Sequence, residues 1–111
     1  MADRNEVVVI LVTAPDANVA SEIARDVLGR RLVACANIIP AVRSLYWWKG
    51  QLEESDEVLM VLKARRGDVS ALASQIRDLH PYDVPEVIAI EVVGGLEAYL
   101  DWIGAETERD R

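Results

Sequence analysis

The chain has 111 residues, 51% hydrophobic and 28% charged, a balance that fits one folded domain and excludes a disordered segment. Its formal net charge of -7 argues against nucleic acid and anionic membrane as partners, because both need a basic surface. Cys35 is the only cysteine, so no disulfide forms within the chain and a reducing, cytoplasmic setting is the simpler expectation. The apolar run at the start is short and lacks the flanks of a signal peptide. No run approaches the roughly 20 apolar residues of a membrane span. A single domain is expected over residues 1–111, with its core at about 6–104.

Val7-Val8-Val9-Ile10-Leu11-Val12 is short, β-branched and apolar throughout, and reads as a strand. Thr13-Ala14-Pro15-Asp16 stops it, and Asp16 or Asn18 can cap the helix that follows. Val19, Ile23 and Val27 recur every four residues in that helix, which ends at Gly29. Arg30 and Arg31 sit where cations favour a helix C-terminus. Leu32 to Trp48 is a second extended stretch. Pro40 inside it cannot donate to a ladder, which predicts a bulge or bend on or beside a sheet edge.

Lys49-Gly50 is a turn signal, and Gln51 to Ala64 returns as a third strand. Gly67-Asp68 opens a second helix with Val69, Leu72, Ala73, Ile76 and Leu79 on one stripe. His80-Pro81 closes it, since the residue before proline is pushed out of the α region. Val87-Ile88-Ala89-Ile90 is a fourth strand and Gly94-Gly95 a break. Leu96 to Glu106 forms a last helix with Leu96, Leu100 and Ile103 on one side, and Thr107 to Arg111 reads as a frayed tail. This order, β-α-β-β-α-β plus a helix, is the ferredoxin-like α+β pattern with a long hairpin between the second and third strands.

Two features predict self-association. In the ferredoxin-like arrangement helices cover one face of the sheet, yet the first, third and fourth strands are apolar at odd and even positions alike. Leaving such rows in water costs about 1.5–3 kcal/mol per side chain, so an obligate oligomer is the expected remedy. The second feature is Tyr46-Trp47-Trp48, half of the chain's aromatic residues, beside the Lys49-Gly50 turn. A hairpin tip cannot bury a Trp pair in its own subunit. It must pack on another copy or close over a ligand.

Four motifs resemble one family. They are Thr13-Ala14-Pro15-Asp16, Ala34-Cys35-Ala36-Asn37, Ser44-Leu45-Tyr46-Trp47-Trp48-Lys49-Gly50 and His80-Pro81-Tyr82-Asp83-Val84-Pro85-Glu86, with Glu57, Lys63 and Tyr99 to Trp102 in matching places. From about Val7 to Ile103 the chain resembles the CutA family of divalent-cation tolerance proteins. The resemblance implies a ferredoxin-like homotrimer with hairpins reaching across subunits, a link to copper or other divalent cations, and no established enzymatic activity. It also implies a likeness to PII-type signalling proteins, with binding clefts between subunits.

The candidate metal ligands are His80, Cys35 and Glu57: an imidazole, a soft thiolate and a carboxylate bordering an apolar run. Tyr46, Trp48, Lys63, Tyr82, Glu86 and Trp102 are expected at an intersubunit cleft or interface. Family members with an assigned copper site carry a cysteine before Thr-Ala-Pro-Asp and two histidines before Pro-Tyr. Here those positions hold Val12, and Leu79 followed by His80, so only modest metal affinity is expected. The leading reading is a cytoplasmic, non-catalytic homotrimer that binds copper or another divalent cation. The rivals are a PII-like small-molecule sensor and a trimeric scaffold.

Overall fold

The computed structural model describes residues 6–109. Strands β1 (Val7–Ala14), β2 (Cys35–Trp48), β3 (Gln51–Arg65) and β4 (Val87–Glu91) alternate with helices α1 (Ala17–Gly29), α2 (Val69–Leu79) and α3 (Glu97–Glu106). They form one antiparallel sheet in the order β2-β3-β1-β4, the ferredoxin-like arrangement that the element order predicts. Ladder pairing carries β1 past the polar Thr13 as far as Ala14, which lies opposite Val58.

Alternation decides the core. Val8, Ile10 and Val12 of β1, with Met60 and Leu62 of β3, pack against Ile23 and Val27 of α1 and Leu72 and Ile76 of α2. Each fully buried aliphatic contributes about 1.5–3 kcal/mol. A smaller cluster of Val7, Leu100 and Ile103 seats α3 against the Val7 end of the sheet.

Register puts the intervening residues of the sheet on its other face. Val9 lies opposite Ile90 and Leu11 opposite Ile88, and on the other side of β1 Leu11 lies opposite Val61. These side chains are only partly covered by the chain itself, and Ile88 and Ile90 remain 52% and 48% exposed. An apolar sheet face of this kind is what the doubly apolar strands predict.

The bulge arrives at Pro40. The β2–β3 register runs regularly to Ile39 opposite Leu59, then resumes at Val42 opposite Glu57, one residue longer on the β2 side. Since β2 is an edge strand, the missing proline N–H costs the sheet little. Beyond the bulge, residues 42–57 pair only with each other and stand off the body, giving a molecule 47 Å long. Lys49 and Gly50 close this arm with positive φ of 51° and 77°, the two-residue turn whose twist matches that of the strands.

Helix α1 ends at Gly29, as its sequence predicts, and the left-handed residue of its closure is Arg31, at φ 57°. Arg31 N–H donates to the Leu28 carbonyl and Leu32 N–H to that of Val27, a Schellman closure that delays β2 until Cys35. The Arg31 guanidinium donates to the carbonyl and carboxylate of Glu106. Leu96 does not join the stripe of α3; it is the extended residue before the helix and is exposed. Leu79, at the end of α2, likewise leaves the buried stripe.

Nor is the C-terminus frayed from Thr107. That side chain is buried, donates to the Ile103 carbonyl at 2.8 Å and accepts from Arg65 Nε at 2.9 Å. Arg109 then pairs with Asp68 at 2.6 Å, and that hydrogen bond raises its already high pKa. Asp110 and Arg111 lie outside the described residues. Among the described residues, no helix is long and apolar enough to cross a membrane.

Candidate functional site

Helix α2 ends at His80, whose extended backbone ahead of Pro81 throws the chain off the helix layer. The segment from Pro81 to Glu86 then crosses to the end of β1, where Val87 pairs with Val12. This crossing runs beside the free-standing arm and leaves an open cleft of about 690 Å³ between them. Ser44, Tyr46 and Trp48 of β2 form one wall, and Pro81, Tyr82 and Glu86 the other. Glu53 and Glu57 reach it from β3, and Thr13 from β1.

The two faces of the arm differ. Cross-strand register sets Tyr46 against Glu53 and Trp48 against Gln51, one aromatic and one polar partner in each pair. The alternate residues Leu45, Trp47 and Leu52 follow the opposite face by register and are 61%, 73% and 62% exposed, with Leu45 also bordering the cleft. The aromatic run is thus divided between a cleft and a bare apolar patch.

Tyr82 organises the cleft. Its hydroxyl donates to Glu57 Oε2 at 2.7 Å, and its backbone N–H donates to His80 Nδ1 at 3.1 Å. Burial first, and the Glu57 carboxylate second, push the tyrosine pKa far above its usual value, so the hydroxyl stays a donor. Because Nδ1 accepts, the His80 proton sits on Nε2, which donates to the Thr13 carbonyl at 2.7 Å. The histidine is buried and both of its nitrogens are engaged. It ties α2, β1 and the Tyr82 segment together.

Partial desolvation, and then the nearby Glu57 carboxylate, raise the Glu86 pKa above the ordinary carboxyl range, although Glu86 is still exposed. A raised acid binds protons better when folded, so wild-type stability falls as pH climbs from the unfolded pKa through the folded one. Glu86→Gln removes that penalty. Its advantage over wild type should be present at neutral pH and vanish below about pH 4. Paired urea melts across that range test it, and a pH-independent difference would refute an ionisation origin.

The remaining singled-out residues lie elsewhere. Lys63 donates to Asn37 and approaches Cys35 Sγ at 3.8 Å, so Cys35 and Lys63 stand together on β2 and β3, apart from the cleft lining. Trp102 stacks on Tyr99 along α3, with ring centroids 5.6 Å apart. The structure therefore brings together Tyr46, Trp48, Tyr82, Glu57 and Glu86, with His80 supporting them. It does not bring in Lys63, Cys35 or Trp102. Among the described residues, no three His, Cys, Asp or Glu side chains gather as a metal-holding group. Thr13 and Asn37 lie within the motifs that carry the family resemblance, yet neither stands among the candidate site residues. The first contributes a backbone carbonyl, which leaves no trace in residue identity, whereas a polar residue two positions after Cys35 in an apolar stretch was a usable signal.

The model of a CutA1 divalent ion tolerance protein matches residues 8–106. The chain belongs to the CutA1 family. The divalent-cation tolerance protein CutA of Pectobacterium atrosepticum is 43% identical over 107 residues, covering 95% of this chain and 97% of that protein. Mouse protein CutA is 50% identical over 97 residues, covering 87% of this chain and 55% of its own length. The chain spans 54–62% of the length of the vertebrate relatives it matches. The crystal structure of CutA from Xylella fastidiosa superposes with a TM-score of 0.90 at 37% identity, covering 93% of this chain and 99% of that one. The CutA fold follows from this membership.

Proposed function

We propose that this chain acts in divalent-cation tolerance as a non-catalytic homotrimer, holding a divalent ion, copper among them, at modest affinity. One observation carries the ion-binding reading: Glu57 and Glu86 line the same cleft, one from β3 and the other from the segment before β4. Such a pair attracts a cation. Glu53 and Asp83 also line the cleft, but among the described residues no three such groups gather to hold an ion, so water or a neighbouring copy must complete the shell, which keeps affinity modest. Oxygen donors alone favour hard ions, so copper rests on the family resemblance. In this arrangement Glu57 is a ligand, His80 supports Tyr82 from behind, and Cys35 lies outside the site.

Assembly is supported by the half-exposed Ile88 and Ile90 and by the bare Leu45, Trp47 and Leu52 patch, both of which identical neighbours would cover. A non-catalytic role is supported by the separation of the sole cysteine from the sole histidine, whose nitrogens are both engaged. The partly exposed thiol of Cys35 supports a reducing compartment, the cytoplasm.

Calorimetric titration with copper(II) tests the ion site. Wild type should give a weak, saturable heat, and Glu57→Gln should bind about tenfold more weakly. Equal heats from the two proteins would remove the metal from this cleft. A second reading, a PII-like sensor of a small molecule, is favoured by the cleft itself, whose volume of about 690 Å³ lies in the range of small-molecule sites.

A further inference from the structure

We propose that the cleft between the arm and the Pro81–Glu86 segment binds a small organic cation, an alkyl or quaternary ammonium group seated among Tyr46, Trp48 and Tyr82. The inference rests on the sensor reading and gives it a ligand class. Size comes first. A bare ion needs no more room than a water molecule, about 30 Å³, whereas the cleft offers about 690 Å³. It has space for a molecule with a carbon frame.

Charge comes second. Glu53, Glu57, Asp83 and Glu86 line the cleft, and Arg43 is the one cationic residue among its lining. The Arg43 guanidinium is committed to Glu54 and to Asp56, the latter at 3.1 Å, so it does not neutralise the cleft. An acidic lining repels phosphates and carboxylates and draws cations.

Ring chemistry decides the kind of cation. A metal ion prefers converging oxygen, nitrogen or sulfur donors, while a soft, weakly hydrated ammonium gains from aromatic faces. Tyr and Trp walls beside carboxylates are the surroundings in which quaternary ammonium groups are held. The protein already makes this contact for itself: Lys49 Nζ lies 5.7 Å over the Trp48 ring. The tethered ammonium shows that the ring accepts a cation, and a ligand must share or replace it. Trp47 alternates to the other face of the arm, away from this wall.

Choline, its neutral isostere dimethylbutanol and the matching anion dimethylbutanoate, titrated into the full chain, provide the test. The readout is the Trp48 indole N–H resonance, identified by its loss in Trp48→Leu. Choline should shift it saturably, with the alcohol about tenfold weaker and the anion weaker still. Lys49→Asn, which tolerates the positive φ of that position, should tighten choline about threefold by freeing the ring. Trp48→Leu should weaken choline, followed by calorimetry, about tenfold; the residue lies at the tip of the arm, outside the folded core. If the alcohol or the anion binds as well as choline, the cation class is overturned while the ligand cleft stands. If none of the three shifts the resonance, both fall. Choline affinity unchanged in both variants would place any binding elsewhere and overturn the proposal.

Discussion

Replacing Ile88 and Ile90 together by aspartate should convert the proposed homotrimer to folded monomers at micromolar concentration. Both residues lie on the sheet face turned away from α1 and α2, roughly half-exposed in the single chain. Covering their remaining surface contributes about 1 kcal/mol for each side chain. The larger effect is the carboxylate. An unpaired charge carried into an apolar contact costs several kcal/mol, and a closed ring repeats that cost in every subunit. The core on the opposite face is untouched, so far-ultraviolet circular dichroism should stay native. Sedimentation velocity at about one micromolar distinguishes the outcomes. A double variant that sediments like wild type would show that this face is not the one the copies share.

His80→Ala should destabilise the protein by about 2–4 kcal/mol, measured by urea unfolding in the presence of a chelator. The substitution strips the Thr13 carbonyl and the Tyr82 N–H of their shared partner and empties a buried volume. Each unsatisfied buried group costs about 1–3 kcal/mol, and an entering water recovers part of that. The chelator matters because it separates two roles. A residue that positions the Tyr82 segment loses stability with or without metal, whereas a metal ligand loses only the metal-dependent part. Tyr82→Phe keeps the backbone bond to His80 and removes only the hydroxyl contact with Glu57, so its loss should be near 1 kcal/mol. A chelated His80→Ala protein within about 0.5 kcal/mol of wild type would contradict the structural role.

Much of the fold was legible because its signals are local. Apolar spacing in α1 and α2, proline at the β2 bulge, the Lys49-Gly50 turn and the stop at His80-Pro81 act within a few residues of themselves. The errors came where a distant partner overrode local preference. Thr107 is buried because Arg65 on β3 reaches it.

The site divides along the same line. Composition and motif order were enough to place the chain in its family, to foresee an apolar sheet face, and to mark Tyr46, Trp48, Tyr82 and Glu57. The apolar face follows from periodicity and the family and its candidate residues from motif resemblance, both of which the linear chain carries. Which candidates meet was settled only by folding, because register and the path of the Pro81–Glu86 segment bring together residues from strands far apart in the chain. Pairing Cys35 with Lys63 on the sheet, apart from the cleft, separated the thiol from the imidazole. Burial then engaged both histidine nitrogens. Residue identity alone could not have said so, since a histidine that binds metal and one that braces a loop are the same letter until their neighbours are known.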